Sequence, residues 1–152
     1  MLMHELRDAV PADANGIRTC VRAAYEPYIE RMGKPPGPMV DDYDHVVANH
    51  YVTVAERAGQ VIGAVVVIQR DEGPLLDNVA VHPSMQGKGL GKQLIEHAHR
   101  VALSLGATAI DLYTHELMTE NIGMYEAMGY FETHRLLEKG YARVYMRKTL
   151  SS

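Results

Sequence analysis

The chain has a single cysteine, Cys20, among its 152 residues. No disulfide can therefore form within it, a zinc cluster of several thiolates is excluded, and Cys20 is expected to be a small buried group in a helix. No apolar run is long enough to span a bilayer and no signal-peptide pattern is present, so a cytoplasmic location and no membrane partner are expected. Positive charge is outweighed, with 15 Lys and Arg against 19 Asp and Glu and a formal net charge of −4. That balance argues against broad binding to nucleic acid, and none is expected as a partner. The histidines are poorly spaced for a metal. His97 and His99 stand two apart on a predicted helix and point in different directions, and His115-Glu116 lacks a second histidine because Thr119 occupies its place. No metal is expected. There is no internal repeat and no low-complexity segment.

What is present is ordinary for a globular chain: 47% hydrophobic and 22% charged residues, enough for one domain over residues 1–152 with a single core. Residues 4–8 read as a short strand and residues 12–25 as a helix, with Ile17, Val21, Ala24 and Tyr28 on one face. Residues 26–39 are too rich in proline and glycine for regular structure and read as a lid, a specificity loop or a plain surface connection. Residues 41–50 suit a short helix. Residues 51–56, 61–69 and 75–81 form a predicted antiparallel meander. A long helix follows from Leu90, capped by Gly106, and then a strand at 108–113 parallel to 75–81 because a helix crosses over between them. A shorter helix at 120–128 and a hairpin of 131–137 with 141–147 complete the chain. The predicted order is β-α-α-β-β-β-α-β-α-β-β.

The most informative piece is residues 75–105, which joins a strand, a glycine-rich turn and an amphipathic helix. Gln86, Gly87, Lys88, Gly89, Leu90 and Gly91 fall at the helix N-terminus. There, unpaired N–H groups and the positive end of the helix dipole favour an anion, and Lys88 and Lys92 add charge. Such a cluster also serves as a plain tight turn. It is not a P-loop, because Gln86 holds the first glycine position and Gln93 the position of the magnesium-binding hydroxyl. Nor does it match a dinucleotide fingerprint, whose spacing is G-x-G-x-x-G; Asp111, placed as a ribose-binding acid would be, is the one feature favouring a nicotinamide enzyme.

The pattern Gln/Arg-x-x-Gly-x-Gly/Ala, filled by Gln86, Gly89 and Gly91 between a strand ending at Pro83 and a long helix, resembles the acetyl-CoA motif of the GNAT superfamily of N-acetyltransferases. Residues 121–131 are similar to that family's Asn-x-x-Ala-x-x-Leu-Tyr-x-x-x-Gly-Phe segment in compressed form, departing from it at Gly123 and Met124. The resemblance covers essentially the whole chain. It implies an α/β fold of the α+β type: a mixed, mostly antiparallel sheet flanked by helices, with one parallel strand pair at the acetyl-CoA site. It implies transfer of acetyl from acetyl-CoA directly to a primary amine of a small molecule, peptide or protein. Cofactor contacts would come from Val79, Ala80, Val81, Gln86, Gly87, Lys88, Gly89, Leu90, Gly91, Lys92 and Asn121, and Tyr125 would protonate the departing thiolate. Asp77 is the preferred base, with Glu30, Glu72, His82, His115 and Glu116 as alternatives. N–H donors for the carbonyl are expected from a distorted strand around 79–81. A noncatalytic acyl-CoA-binding or regulatory module is the second reading. The acceptor and the oligomeric state stay open, a homodimer being common in that family.

Overall fold

The computed structural model describes residues 5–151; position 4 of the first predicted strand lies outside them. Strand β1 (Glu5–Asp8) leads through a 3₁₀ turn into α1 (Ala14–Tyr25), then α2 (Pro27–Met32), a second 3₁₀ turn (Gly37–Val40) and α3 (Tyr43–Asn49). The meander follows as β2 (Tyr51–Arg57), β3 (Gln60–Arg70) and β4 (Gly73–Val81), and then α4 (Leu90–Ser104), β5 (Ala109–His115), α5 (Thr119–Ala127), β6 (Phe131–Glu138) and β7 (Tyr141–Thr149). The helix α2 corrects the reading of residues 26–39 as irregular. Pro27 sits at its first position, where the missing N–H would be unpaired in any case, and Gly33 closes it at φ 76°.

The seven strands are ordered β1-β2-β3-β4-β5-β7-β6, antiparallel except for β4 with β5. Both faces are covered. Leu90, Leu94, Ile95, Ala98 and Ala102 of α4, together with Tyr125 of α5, pack on one face against Ile62, Val65, Val67, Leu76, Ile110 and Leu112. Ile17, Val21 and Tyr25 of α1 and Tyr43 and Val46 of α3 cover Val52, Val54, Ala64, Val66 and Ala80 on the other. At Gly63 the approach of α4 is tight, since a Cβ there would stand 2.9 Å from Leu94 and 3.1 Å from Leu90. The end of α4 forms a Schellman motif, with Ala107 N–H donating to Ala102 and Gly106 N–H to Leu103.

Two irregularities in β4 place the site. Against β3, Val66 pairs with Asn78 and Val67 with Leu76, so Asp77 is an extra, bulged residue. The bulge reverses the alternation of faces: Leu76 packs under α4, whereas Ala80, four residues on, packs under α1. The expected distortion is thus present but lies at Asp77, ahead of residues 79–81. The parallel pairing with β5 is also short, covering only Leu75 with Asp111 and Leu76 with Leu112. Beyond that point the two strands part.

Candidate active site where the strands part

The alternation of an antiparallel ladder decides which backbone groups of β4 face the opening. His82 N–H donates to Ile62, so the His82–Ile62 pair is hydrogen-bonded. In the same register Ala80–Ala64 and Asn78–Val66 are hydrogen-bonded too, while Val79–Val65 and Val81–Gly63 are not. The N–H and C=O groups of Val79 and Val81 therefore turn away from β3, toward the gap left by β5. Ala80 spends its backbone groups on Ala64 and its side chain in the core, so of the three predicted contacts only Val79 and Val81 present backbone atoms to the gap.

At the end of that gap stands α4. Gly89 precedes its first residue with φ 83°, and Gly87 has φ 76°. Around both glycines the space is open, and Gly91 faces Val81, where an added Cβ would make an ordinary 3.6 Å contact. Among the described residues, no N–H from residues 87–92 has a protein acceptor. Lys88 is exposed and Lys92 stands 4.0 Å from Glu96, a pair too solvated to withdraw the lysine from an incoming anion. Gln86 lies alongside, its amide 3.5 Å from the Val81 carbonyl, and Leu90 is a buried anchor of the helix rather than a surface contact.

The gap deepens into a cavity of about 450 Å³ whose lining includes Asp77, Asn78, Val79, Tyr113, Asn121 and Tyr125. Asp77 is half-buried there. Burial, reinforced by the like charge of Asp41, pushes its carboxyl up to about 6, against the opposing pull of Arg143 and Tyr113. Arg143 lies over the Tyr113 ring at 4.2 Å, and burial raises the Tyr113 phenol to about 12. Tyr125 is 6% exposed, edge-on to Tyr130 at 5.6 Å. Burial raises its pKa well above the usual phenol range, and among the described residues its hydroxyl has no hydrogen-bond partner. Asn121 reaches Met118 Sδ at 3.6 Å. Tyr130, by contrast, is engaged with His99 at 2.8 Å.

The other predicted bases separate by position. His115 lines the same cavity, edge-on to Tyr141. His82 is tied to Ser84 at 2.9 Å, Glu116 stands near Arg135, Glu72 near Arg70, and Glu30 is exposed on α2; none of these four lines the cavity. Asp111, the lone feature of the dinucleotide reading, is held by Arg70 at 2.8 Å and Arg147 at 2.7 Å. Burial works to raise its carboxyl, but the two guanidinium groups prevail and hold it low. Sequence reasoning missed Tyr25, Asn78, Tyr113 and Arg143, which enter the cavity from several different elements. Only the placement of Asn78 beside Asp77 was a signal for any of them.

The site thus combines a mixed sheet that opens beside one parallel pair, unpaired N–H groups at a helix start, and a half-buried carboxyl and a buried phenol in the cavity. A family model described as an acetyltransferase (GNAT) domain matches residues 48–132, more than half of the chain. The chain belongs to the GNAT acetyltransferase family. Among solved structures it is similar to the ribosomal-protein-S18-alanine N-acetyltransferase from Escherichia coli, at 18% identity over 99% of this chain and 96% of that one with a TM-score of 0.78. It is similar also to the IAA acetyltransferase from Bacillus cereus ATCC 14579 (18% identity, 97% and 99% covered, TM-score 0.73). A third is the PaiA N-acetyltransferase from Thermoplasma acidophilum in complex with coenzyme A (16% identity, 98% and 100% covered, TM-score 0.77). At these identities the likeness is one of fold. No curated protein matches the chain. Among the described residues no helix is long and apolar enough to cross a membrane.

Proposed function

We propose that the chain, acting as one domain over residues 1–152, moves an acetyl group from acetyl-CoA to a primary amine by direct transfer. One observation carries the reading: β4 parts from β5 just past the bulged Asp77, so the outward edge of Val79 meets a cavity lined by Asp77 and Tyr125, and the same strand runs on into the turn whose N–H groups at residues 87–92 are free. The residues fit the coenzyme. Open glycines at 87 and 89 leave room for phosphate oxygens against unpaired N–H groups, with Lys88 and Lys92 nearby. The outward N–H and C=O groups of Val81 offer a strand edge to an amide-bearing arm, and Asn121 lines the cavity beyond it with Val79. That other family members are solved with coenzyme A or acetyl-CoA supports the assignment.

Acetyl-CoA supplies an acetyl group activated as a thioester. The outward N–H of Val79 is directed to where a carbonyl oxygen gains negative charge, an arrangement effective because the donor is fixed before reaction. Asp77, with its carboxyl near about 6, is ionised at neutral pH yet basic enough to accept a proton from an arriving ammonium. Tyr125 keeps its proton at any physiological pH, and its unpartnered hydroxyl is placed to stabilise the departing thiolate as a hydrogen-bond donor, the thiol taking up the proton that the amine has released. Relatives of the same fold act on a ribosomal-protein alanine and on nourseothricin, so the acceptor class tested should range from peptides to small amines. Calorimetric titration with acetyl-CoA and NADH, followed by a panel of amines with thiol detection, tests the reading. Micromolar binding of acetyl-CoA with thiol release on one amine class is expected. Binding without release on any amine would favour the noncatalytic module, and binding of NADH alone would overturn the proposal.

A further inference from the structure

One buried polar network near the opening has no part in the transfer steps above. Asn78 is 4% exposed, an unusual burial for an amide that packing alone would not select. Its Oδ1 accepts from the Tyr25 hydroxyl at 3.0 Å, and its Nδ2 donates to the Tyr43 hydroxyl at 3.0 Å. Tyr43 in turn donates to the carbonyl of Pro38 at 2.6 Å. That last bond fixes the direction of the rest: Tyr43 has given its proton to Pro38, so it must accept from the amide, which orients the Asn78 side chain without ambiguity. The Tyr25 hydroxyl is shared between Asn78 and the carbonyl of Val79, also at 3.0 Å. Tyr25, Asn78 and Val79 come from α1 and β4, and Pro38 from the 3₁₀ turn over the cavity; all four line it.

The network meets a mechanical need. After Leu76 the strand β4 has lost β5 and is held on one edge only, yet the N–H of Val79 must keep a fixed direction to act on a carbonyl. A Tyr25 hydroxyl on the Val79 carbonyl replaces the missing neighbour, and the Asn78 amide locks Tyr25. We infer that Tyr25, Asn78 and Tyr43 are positioning residues for acyl transfer, holding the unpaired stretch of β4 so that the Val79 N–H polarises the acetyl carbonyl, and linking that stretch to the loop at Pro38 on the acceptor side. The inference rests on the acetyl-CoA reading above. It predicts that removing the Tyr25 hydroxyl loosens the aim of a donor while leaving the phosphate-binding turn, a separate part of the chain, untouched.

The test is isotope-edited infrared spectroscopy of acetyl-CoA labelled with ¹³C at the carbonyl, bound to the native chain, to Tyr25→Phe and to Tyr43→Phe, with calorimetric affinities and far-UV circular dichroism on each. In the native complex the carbonyl band should lie below its position in water. In Tyr25→Phe it should broaden and return toward the free position while affinity changes less than about threefold, and Tyr43→Phe should move it the same way by less. A band in Tyr25→Phe unchanged from the native one overturns the inference alone, as does a more than tenfold loss of affinity with folding intact, which would make Tyr25 a binding group. No binding by the native chain overturns the acetyl-CoA reading and the inference with it. Should Tyr25→Phe fail to fold, Tyr43→Phe decides by the same criteria.

Discussion

Asp77 is kept in an environment that disfavours its charge, and this sets two opposite effects of removing it. Its carboxyl is raised to about 6 from an ordinary 3.8, first by burial and then by Asp41. The fold therefore prefers the protonated form: the group destabilises the native state as pH rises from about 4, and the penalty is complete above about 6. Asp77→Asn should accordingly melt higher than the native chain at pH 7.5, by about 1–2 kcal/mol in unfolding free energy, with the gain gone near pH 4. Acetyl transfer should fall by about 100-fold in the same variant. In the native chain kcat/KM should climb with pH through about 6, and Asp77→Asn should lose that limb; an unchanged profile would move the base elsewhere, with His115 next to be tried. Tyr125 gives a cleaner separation, because a buried hydroxyl without a partner contributes nothing to the fold. Tyr125→Phe should keep or slightly raise the melting temperature, by up to about 1 kcal/mol in free energy. Its kcat should drop by about 10- to 100-fold at constant affinity for acetyl-CoA. Full activity in that variant would remove the phenol from the mechanism.

Among the elements, α4 carries the proposed phosphate site at its start and the core on its face, so the two can be separated by mutation. Gly89 has φ 83° with open space where a side chain would go. Alanine there should cost about 1–2 kcal/mol from the left-handed backbone alone, and glutamate the same plus a negative charge facing an anion site. Gly89→Glu should therefore weaken acetyl-CoA binding by more than about 100-fold relative to Gly89→Ala while the two melt within a few degrees of each other; equal affinities would count against the cradle. This helix was legible in the sequence because its apolar period runs unbroken from Leu90 and its two ends are glycines. The strands were legible for the same local reason. The opening was not, because the bulge at Asp77 exists only relative to the register of β3, and the parting of β4 from β5 only relative to a strand that lies beyond the whole of α4 in the chain. Asp77, Tyr125 and Asn121 were named on resemblance, and the cavity does bring them together. Tyr25, Tyr113 and Arg143 gave no such signal and Asn78 only its place beside Asp77, since a tyrosine at helical spacing and an asparagine in a strand look like any core or turn residue until their partners are known.

Taken as a whole, the molecule closes the side of the cavity proposed for the acceptor by contacts between segments far apart in the chain. Lys34 donates to the Gly140 carbonyl and lies 3.9 Å over the Tyr141 ring, while the Tyr141 hydroxyl donates to Pro35 at 2.8 Å. On the other side Arg31 holds Glu120 at 2.6 Å and the Leu117 carbonyl at 3.1 Å. Residues 33–40 are thus strapped between the β6–β7 hairpin and the start of α5, and Pro36, Pro38 and Val40 of that strap line the cavity. Partly exposed polar interactions of this kind contribute about 0–1 kcal/mol each, whereas the Pro38 carbonyl takes the Tyr43 hydroxyl and Met39 packs against the core, so the Lys34 end of the strap is the part that opens at small cost. Its prolines lower the disorder gained on opening, which favours a hinged movement of that end over local melting. The Lys34 end of the strap, apart from the Tyr43 bond at Pro38, therefore belongs with the proposed acceptor entry, and loosening that end should leave coenzyme binding unaffected. The double variant Lys34→Ala/Tyr141→Phe should leave acetyl-CoA affinity within about twofold and the melting temperature nearly unchanged. It should raise amide hydrogen exchange at the Lys34 end of the strap and raise the KM for the amine by about tenfold, since removing the Lys34 and Tyr141 latches lowers the closed fraction that holds the acceptor. Faster exchange with an unchanged amine KM would show that the strap opens and closes without governing entry.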